Sequence, residues 1–264
     1  MNLTDRVILI TGGARGIGAA LAFRFGNEKP RGIVVSDIDA PAAENVADQL
    51  RNLGVAAIAV AADVTRKDEV AHLVDVTKSE FGPVELLCSN AGIATGMGIH
   101  AADSVWERSW SVNVMGHAHL TQAVLPEMTR RRTGHIVITA SAAGLLGLPG
   151  DAPYSVTKNA AVSLAEWLAV TYGHLGIKVS ALCPLGVRTD LLMNGLKSRH
   201  RAARSVTGSG DILEPAEVAD CVVAGLAEEA FFIFPHRQVG ALHATKAADP
   251  DAWIRRHSVP LSRD

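Results

Sequence analysis

The sequence predicts an α/β fold: a doubly wound parallel sheet of about seven strands with helices on both faces. Three observations carry this. Short apolar runs of the kind expected for strands buried on both faces recur along the chain, and helix-length segments separate them. The first run opens into a glycine-rich turn that begins a helix. Polar residues suited to ligand contact then stand at the C-terminal ends of successive runs, the edge where such sheets bind ligands.

The first strand is Val7-Ile8-Leu9-Ile10-Thr11, followed by Gly12-Gly13-Ala14-Arg15-Gly16-Ile17-Gly18 and an Ala/Leu/Phe-rich helix to about Asn27. Strand, glycine turn and helix form a dinucleotide site: glycines admit the pyrophosphate and the helix N-terminus attracts its charge. The spacing Gly12, Gly16, Gly18 is neither the commoner Gly-x-Gly-x-x-Gly nor a P-loop, since Ala19 stands where a P-loop has lysine. Gly32 to Ser36 is the second strand and delivers Asp37, nineteen residues after Gly18. A carboxylate there suits the adenosine ribose hydroxyls and repels a 2′-phosphate, which favours NAD over NADP. Arg15 is the counter-argument, as a cation able to hold that phosphate.

Pro41 to Leu53 is a helix with proline just inside its start. Val55 to Ala61 is the third strand, with Asp63 and Val64 after it as candidate adenine contacts. Lys67 to Phe81 is a helix and Val84 to Cys88 the fourth strand. The small residues around Asn90, Ala91 and Gly92 let a cofactor pass close to the backbone. Ala102 to Arg131 reads as one long helix, locally kinked at Pro126 and carrying Asn113 in its interior. Asparagine is a poor mid-helix residue, which points to a polar task inside the fold. His117 and His119 are two apart and cannot share a helix face, so no metal site is expected.

His135 to Ala140 is the fifth strand, ending at Ser141. Ala142 to Gly150 reads as an apolar loop able to line a pocket, and Pro153 to Leu175 as a helix. The sixth strand is Ile177 to Leu182, and Pro184, Gly186, Val187 and Thr189 follow it. A mobile lid is expected over about 188–212, its basic residues Lys197, Arg199, His200, Arg201 and Arg204 on a solvated face. Glu214-Pro215 opens another helix, and Phe231 to Phe234 is a short seventh strand. The tail over 235–264 reads as irregular apart from one short helix around Pro250 to Arg256.

No repeat or linker divides residues 1–264, so a single catalytic domain is expected. The net charge of −2 implies neither nucleic-acid binding nor a membrane footprint. The longest weakly polar stretch, Ile136 to Gly150, is too short and broken to span a bilayer. Cys88, Cys183 and Cys221 lack paired spacing and read as reduced, buried thiols. With a strand starting at Val7, which leaves no room for a signal peptide, they suggest a cytoplasmic protein.

The chemistry centres on Tyr154-Ser155-Val156-Thr157-Lys158. Tyr154 and Lys158 are one helical turn apart and share a face. An ammonium beside a phenol favours the phenolate, and a tyrosine so tuned exchanges protons with an alcohol or carbonyl. Ser141, thirteen residues earlier, is placed to hydrogen-bond the same oxygen. Taken alone, Tyr-x-x-x-Lys is also what an ordinary surface helix presents.

As a set, the Thr11–Gly18 turn, Asn90-Ala91-Gly92, Asn113, Ser141 and Tyr154-x-x-x-Lys158 resemble the short-chain dehydrogenase/reductase family in order and spacing, over about residues 5 to 190. The resemblance implies a catalytic group of Asn113, Ser141, Tyr154 and Lys158. Tyr154 would be the general acid/base and Ser141 would steady the substrate oxygen. Lys158 would bind the nicotinamide ribose and lower the tyrosine pKa, and Asn113 would hold a relay water. It also implies a homodimer or homotetramer packed through the long helices, and nicotinamide contacts at Val187 and Thr189. Three departures stand out. Leu185 separates Pro184 from Gly186, Ser89 replaces a frequent Asn, and the Asp-Gly-Gly of acyl-carrier-protein reductases is missing near the last strand. Leu145-Leu146-Gly147-Leu148 and the apolar start of the lid suggest a lipophilic secondary alcohol or ketone. Two alternatives stay open: an NADPH-dependent carbonyl reductase, resting on Arg15, and a non-catalytic dinucleotide sensor or scaffold.

Overall fold

The computed structural model describes residues 1–147, 149–198, 200, 203 and 211–258. Leu148 of the expected pocket loop, and Arg199, Arg201 and Arg204, on which part of the lid reading rests, lie outside the described residues. Seven parallel strands form the central sheet: β1 (Val7–Thr11), β2 (Gly32–Asp37), β3 (Ala57–Ala61), β4 (Leu86–Ser89), β5 (Gly134–Thr139), β6 (Ile177–Leu182) and, numbered after two strands outside this sheet, β9 (Phe232–Ile233). Their order is β3-β2-β1-β4-β5-β6-β9, so the direction of winding reverses between β1 and β4. This Rossmann-type sheet places its ligand crevice at that switch point, beyond the C-terminal strand ends. Two further short strands, β7 (Gly186–Val187) and β8 (Ile212–Leu213), pair in parallel as a separate ribbon, which the sequence does not announce.

Strands β1, β4 and β5 are buried along their whole length, which is why they read as continuous apolar runs. Helices α1 (Gly16–Gly26) and α2 (Ala40–Asn52) pack on one face of the sheet, where Leu21, Phe25, Val46 and Leu50 are buried against Ile8, Ile10 and Ile33. Helix α3 (Lys67–Phe81) covers the other face. So do α5 (Gly116–Arg131) and α7 (Ala152–Tyr172), with Leu120, Val124, Ala161 and Ala165 over Ile136 and Ile138.

Two stretches differ from the sequence reading in ways that matter for the site. The long segment is α4 (Asp103–Trp110), a π-helical turn over Ser111–Met115, then α5. The irregularity thus falls at Asn113, while Pro126 lies within α5. Ala142 to Gly150, expected as a loop, opens with the short helix α6 (Ala142–Leu146), and Ser141 caps it by accepting the Ala143 N–H at 3.1 Å.

Helix α8 (Asp190–Lys197) starts the segment expected as a lid, and α9 (Pro215–Glu228) follows β8 with a capping box between Glu214 and Glu217. The tail is more regular than expected: α10 (Gln238–Ala248) precedes α11 (Pro250–His257). Cys88 and Cys183 are buried as expected, whereas Cys221 is only partly so. Among the described residues, no helix is long and apolar enough to cross a membrane.

Candidate active site

A cleft of about 950 Å³ runs along the C-terminal edge of the sheet. At one end stand Arg15, Asp37, Asp39 and Asp63; at the other, Ser141, Tyr154 and Lys158. Of the residues singled out from the sequence, Gly12, Gly16, Ile17, Val64, Asn90, Ala91, Gly92, Pro184, Val187 and Thr189 also line it. Gly18, Asn113 and Gly186 do not.

Gly18 serves the turn from beneath. A Cβ there would lie 2.0 Å from the Gly12 carbonyl oxygen and 2.8 Å from Asn90 Nδ2, so only glycine lets α1 start this close to β1. The N-cap position of α1, Arg15, makes no side-chain cap and the first turn has no acidic residue, which leaves its first amides for an anion. The turn is braced from the side by Asp37, whose carboxylate accepts the Ala14 N–H at 3.1 Å and the Asp39 N–H at 3.1 Å. Arg15, the residue that argued for a 2′-phosphate, is ion-paired with Asp39. Asp63 is held by Thr65, whose N–H and hydroxyl donate to one carboxylate oxygen at 2.9 and 2.8 Å.

Asn90 stitches three strands together at the switch point. Its amide donates to the Thr11 and Gly12 carbonyls at 3.1 and 3.2 Å, and its carbonyl oxygen accepts the Thr139 hydroxyl at 3.1 Å. A Cβ on neighbouring Gly92 would lie 3.1 Å from Lys158 Nζ and 3.3 Å from Asn113 Oδ1, so the lysine and the asparagine close over a bare backbone.

Helix α7 delivers Tyr154 and Lys158. Its N-cap, Asp151, is buried and accepts four hydrogen bonds: from the Tyr154 N–H at 3.0 Å, the Thr95 N–H at 2.6 Å, the Gly96 N–H at 2.6 Å and the Thr95 hydroxyl at 2.8 Å. One carboxylate therefore fixes both the start of the tyrosine helix and the loop after β4. The pattern Asp151-Ala-Pro153 before the helix was the available signal for it. Lys158 is 2% exposed and donates to the Thr139 carbonyl at 2.7 Å, with its ammonium 5.7 Å from the Tyr154 ring centre. Burial pulls Lys158 down from 10.5 to about 8. Burial also pushes the Tyr154 phenol above its ordinary value, an effect that the Ser141 hydroxyl partly offsets. Burial and the Ser141 hydroxyl thus act on the phenol in opposite directions, with burial the larger of the two.

Asn113 is fully buried and its side chain is committed. Its Oδ1 accepts the Ile93 N–H at 2.8 Å, and its Nδ2 donates to the Ile93 carbonyl at 2.9 Å and to Thr157 Oγ1 at 3.0 Å. The π turn widens the helix at the residue that reaches out to these partners. His117, one turn on, pairs with the Ser89 hydroxyl at 2.6 Å, and burial lowers its pKa to about 3; His119 bonds the Val64 carbonyl at 3.1 Å.

The far end of the cleft is apolar, through other residues of the expected loop and lid start and through Leu185. Leu145 and Leu146 point into the core, 3% and 2% exposed. Ala143, Pro149, Leu185, Leu191 and Leu192 line the cleft instead. Leu185 is held by an N–H donated to His236 Nδ1 at 3.1 Å.

A family model described as short chain dehydrogenase matches residues 6–199. The mouse protein 17-beta-hydroxysteroid dehydrogenase 13 is 35% identical over 88% of this chain and 74% of its own length. Cis-4-hydroxycyclohexanecarboxylate dehydrogenase of Sinomonas cyclohexanicum is 35% identical over 91% of this chain and 94% of its own. A crystal structure of a short chain dehydrogenase/reductase from Burkholderia phymatum in complex with NAD superposes with a TM-score of 0.86, at 30% identity, over 99% of both chains. Sheet order, glycine turn and these likenesses agree: the chain belongs to the short-chain dehydrogenase/reductase family and is an oxidoreductase of the alcohol dehydrogenase type.

Proposed function

We propose that this enzyme oxidises lipophilic secondary alcohols with NAD and that Tyr154 is its general acid/base. The carrying observation is the placement of Ser141, Tyr154 and Lys158 at one end of a cleft whose other end holds Asp37 and an Arg15 already paired with Asp39. The donor set fits a dinucleotide. The uncapped start of α1 suits the pyrophosphate, and Asp37 suits the adenosine ribose. Asp63 and Val64, both in the cleft lining, would hold the adenine. Asn90, Ala91, Gly92 and Lys158 would hold the nicotinamide ribose, and Pro184, Val187 and Thr189 the nicotinamide amide. Gly186 pairs with Ile212 in the β7–β8 ribbon and is not part of the cleft lining.

The bound nicotinamide would supply the hydride acceptor. The chain's own residues handle the proton and the geometry. Ser141 donates a hydrogen bond to the substrate oxygen; for oxidation the Tyr154 phenol first gives its proton to solvent, and the phenolate oxygen so formed takes the proton of the substrate hydroxyl as the hydride leaves the carbon. Lys158 keeps its ammonium beside the phenol through Thr139, which favours the phenolate once it forms. Asn113 acts as a brace for the loop after β4 and for Thr157, rather than through a side chain free to hold water. Leu185, Leu191 and Leu192 favour a lipophilic substrate, as the hydroxysteroid name of the mouse relative does. Exposed Trp167 and Val170 on α7 support a homo-oligomer built on the long helices.

The test is a titration of the protein with NADH and NADPH, followed by turnover of 17β-estradiol and cis-4-hydroxycyclohexanecarboxylate with NAD. Tighter NADH binding and NAD-linked oxidation of either alcohol are expected. Preference for NADPH would overturn the cofactor reading. Failure of Tyr154→Phe to reduce turnover would overturn the acid/base assignment.

A further inference from the structure

The helix that carries Ser141 is too short to hold itself. Helix α6 has five residues, and an isolated helix needs about 12–15 to persist in water. Ser141 caps its start, so the position of that hydroxyl depends on what stabilises the other end. There, three consecutive carbonyls each accept a side-chain donor from a different helix. Asn159 Nδ2 on α7 donates to the Gly144 carbonyl at 2.7 Å. Lys246 Nζ on α10 donates to the Leu145 carbonyl at 2.5 Å. Trp253 Nε1 on α11 donates to the Leu146 carbonyl at 3.2 Å.

The fit is close on the catalytic side as well. A Cβ on Gly144 would lie 2.5 Å from the Lys158 carbonyl carbon, so α6 rests directly on the backbone of the lysine that neighbours Tyr154. Trp253 is 7% exposed and packs in the same cluster as Leu145 and Leu146, with its ring stacked on His257 at 3.7 Å. The last carbonyls of a helix have no partner within it, and buried ones must find one elsewhere. Here the C-terminal helices supply two of the three.

We propose that Lys246 and Trp253 are positioning residues for catalysis: the C-terminal helices clamp α6 and thereby set the Ser141 hydroxyl against the substrate oxygen. This rests on the reading of Ser141 given above. The tail therefore belongs to the active site although, among the described residues, none of its side chains lines the cleft. The clamp is selective, because the dinucleotide end is built from β1, β2, β3 and α1, which it does not touch.

Two measurements test this on the full chain, with Lys246→Met and Trp253→Phe as variants and Lys246→Arg as the conservative control. The first is amide hydrogen exchange, which needs no substrate. Loss of one such bond should speed exchange over residues 141–147 about tenfold while residues 134–139 in β5 stay unchanged. Unchanged exchange, or an equal rise in both segments, would overturn the clamp. The second is NAD-linked oxidation of 17β-estradiol. Lys246→Met and Trp253→Phe should lower kcat/KM about tenfold with NADH affinity unchanged, and Lys246→Arg should retain activity. In a Ser141→Ala background the same substitutions should cost little more, since their effect passes through the missing hydroxyl. Equal losses in both backgrounds would overturn the positioning role. An undiminished rate in Ser141→Ala alone would instead refute the catalytic reading of Ser141, leaving exchange to decide the clamp.

Discussion

Asp39→Asn isolates the feature that decides between the two dinucleotides. Asp39 does two things: its carboxylate pairs with Arg15, and it caps α2 by accepting the Ala42 N–H at 3.3 Å. Asparagine keeps the cap, so the fold should be spared, and removes only the charge. The pair is open to solvent, with side-chain exposures of 56% and 40%, so its own contribution to stability is small, about 0–1 kcal/mol. Its effect on a 2′-phosphate is larger. At about 6 Å in water a unit charge contributes ~0.7 kcal/mol, and the phosphate carries nearly two charges, so losing Asp39 should favour NADPH by about 1–1.5 kcal/mol. That corresponds to a five- to thirteenfold tighter NADPH Kd by about 1.4 kcal/mol per decade, with NADH unchanged. Fluorescence titration at low ionic strength reads both constants. Raised salt should shrink the effect, because the groups are exposed. An NADPH Kd within about twofold of wild type would refute the idea that Asp39 holds Arg15 away from the phosphate.

Tyr154→Phe should abolish turnover and leave the NADH Kd within about twofold, read by steady-state kinetics and titration; retained turnover would remove Tyr154 from the chemistry. Lys158 gives a pH test of stability. Its folded value of about 8 lies below its ordinary 10.5, so the unfolded chain binds more protons between those limits and wild-type stability rises with pH through that window. The gain relative to Lys158→Met should be on the order of 3 kcal/mol, read from urea melts at pH 7.5 to 10; parallel profiles would mean the lysine is not desolvated. Asn113→Ala strands the Ile93 N–H and the Ile93 carbonyl, while Thr157 Oγ1 keeps its bond to the Pro153 carbonyl, and should cost about 2–4 kcal/mol by urea unfolding. A cost below about 1 kcal/mol would contradict the bracing role.

What could be read from the sequence was whatever depends on neighbours along the chain. Buried parallel strands show as apolar runs, and the glycine turn, Asp37 and the Tyr154–Lys158 turn each lie within one element. What escaped depends on partners far away in sequence. Helix α6 has no length or periodicity to announce it, because its last carbonyls are bonded by residues 15 and about 100 positions on. Leu145 and Leu146 looked like pocket lining for the same reason: the helices that cover them sit in a tail that read as irregular. Helix α10 was hidden by Gly240 and by an alanine-rich, weakly patterned sequence. The Asn113 turn was half visible. A mid-helix asparagine signalled a task, but only the fold shows the task to be the backbone of Ile93. The Arg15–Asp39 pair joins two elements whose approach is set by the Asp37 bridge to Ala14, so neither charge could be assigned a partner beforehand.

One physical cause accounts for both unusual titrations in the site. Tyr154 and Lys158 share a cleft floor made of main chain and apolar side chains, and desolvation disfavours each charged form. The phenol moves up and the ammonium down. Among the described residues no carboxylate pairs with Lys158; a backbone carbonyl at the end of β5 holds it. That choice has a consequence. A carboxylate would fix the ammonium as strongly charged and cancel its field at the phenol. A carbonyl orients it and leaves its charge uncancelled, with one of three N–H hydrogens used. The phenolate, when the reaction calls for it, then forms beside an uncompensated cation in a medium of low polarity, where that attraction is far stronger than in water. The site is therefore set by backbone geometry more than by charge pairing. This is why a glycine at position 92, a cap at Asp151 and a clamp on the carbonyls of α6 matter to the chemistry although none of them titrates in it.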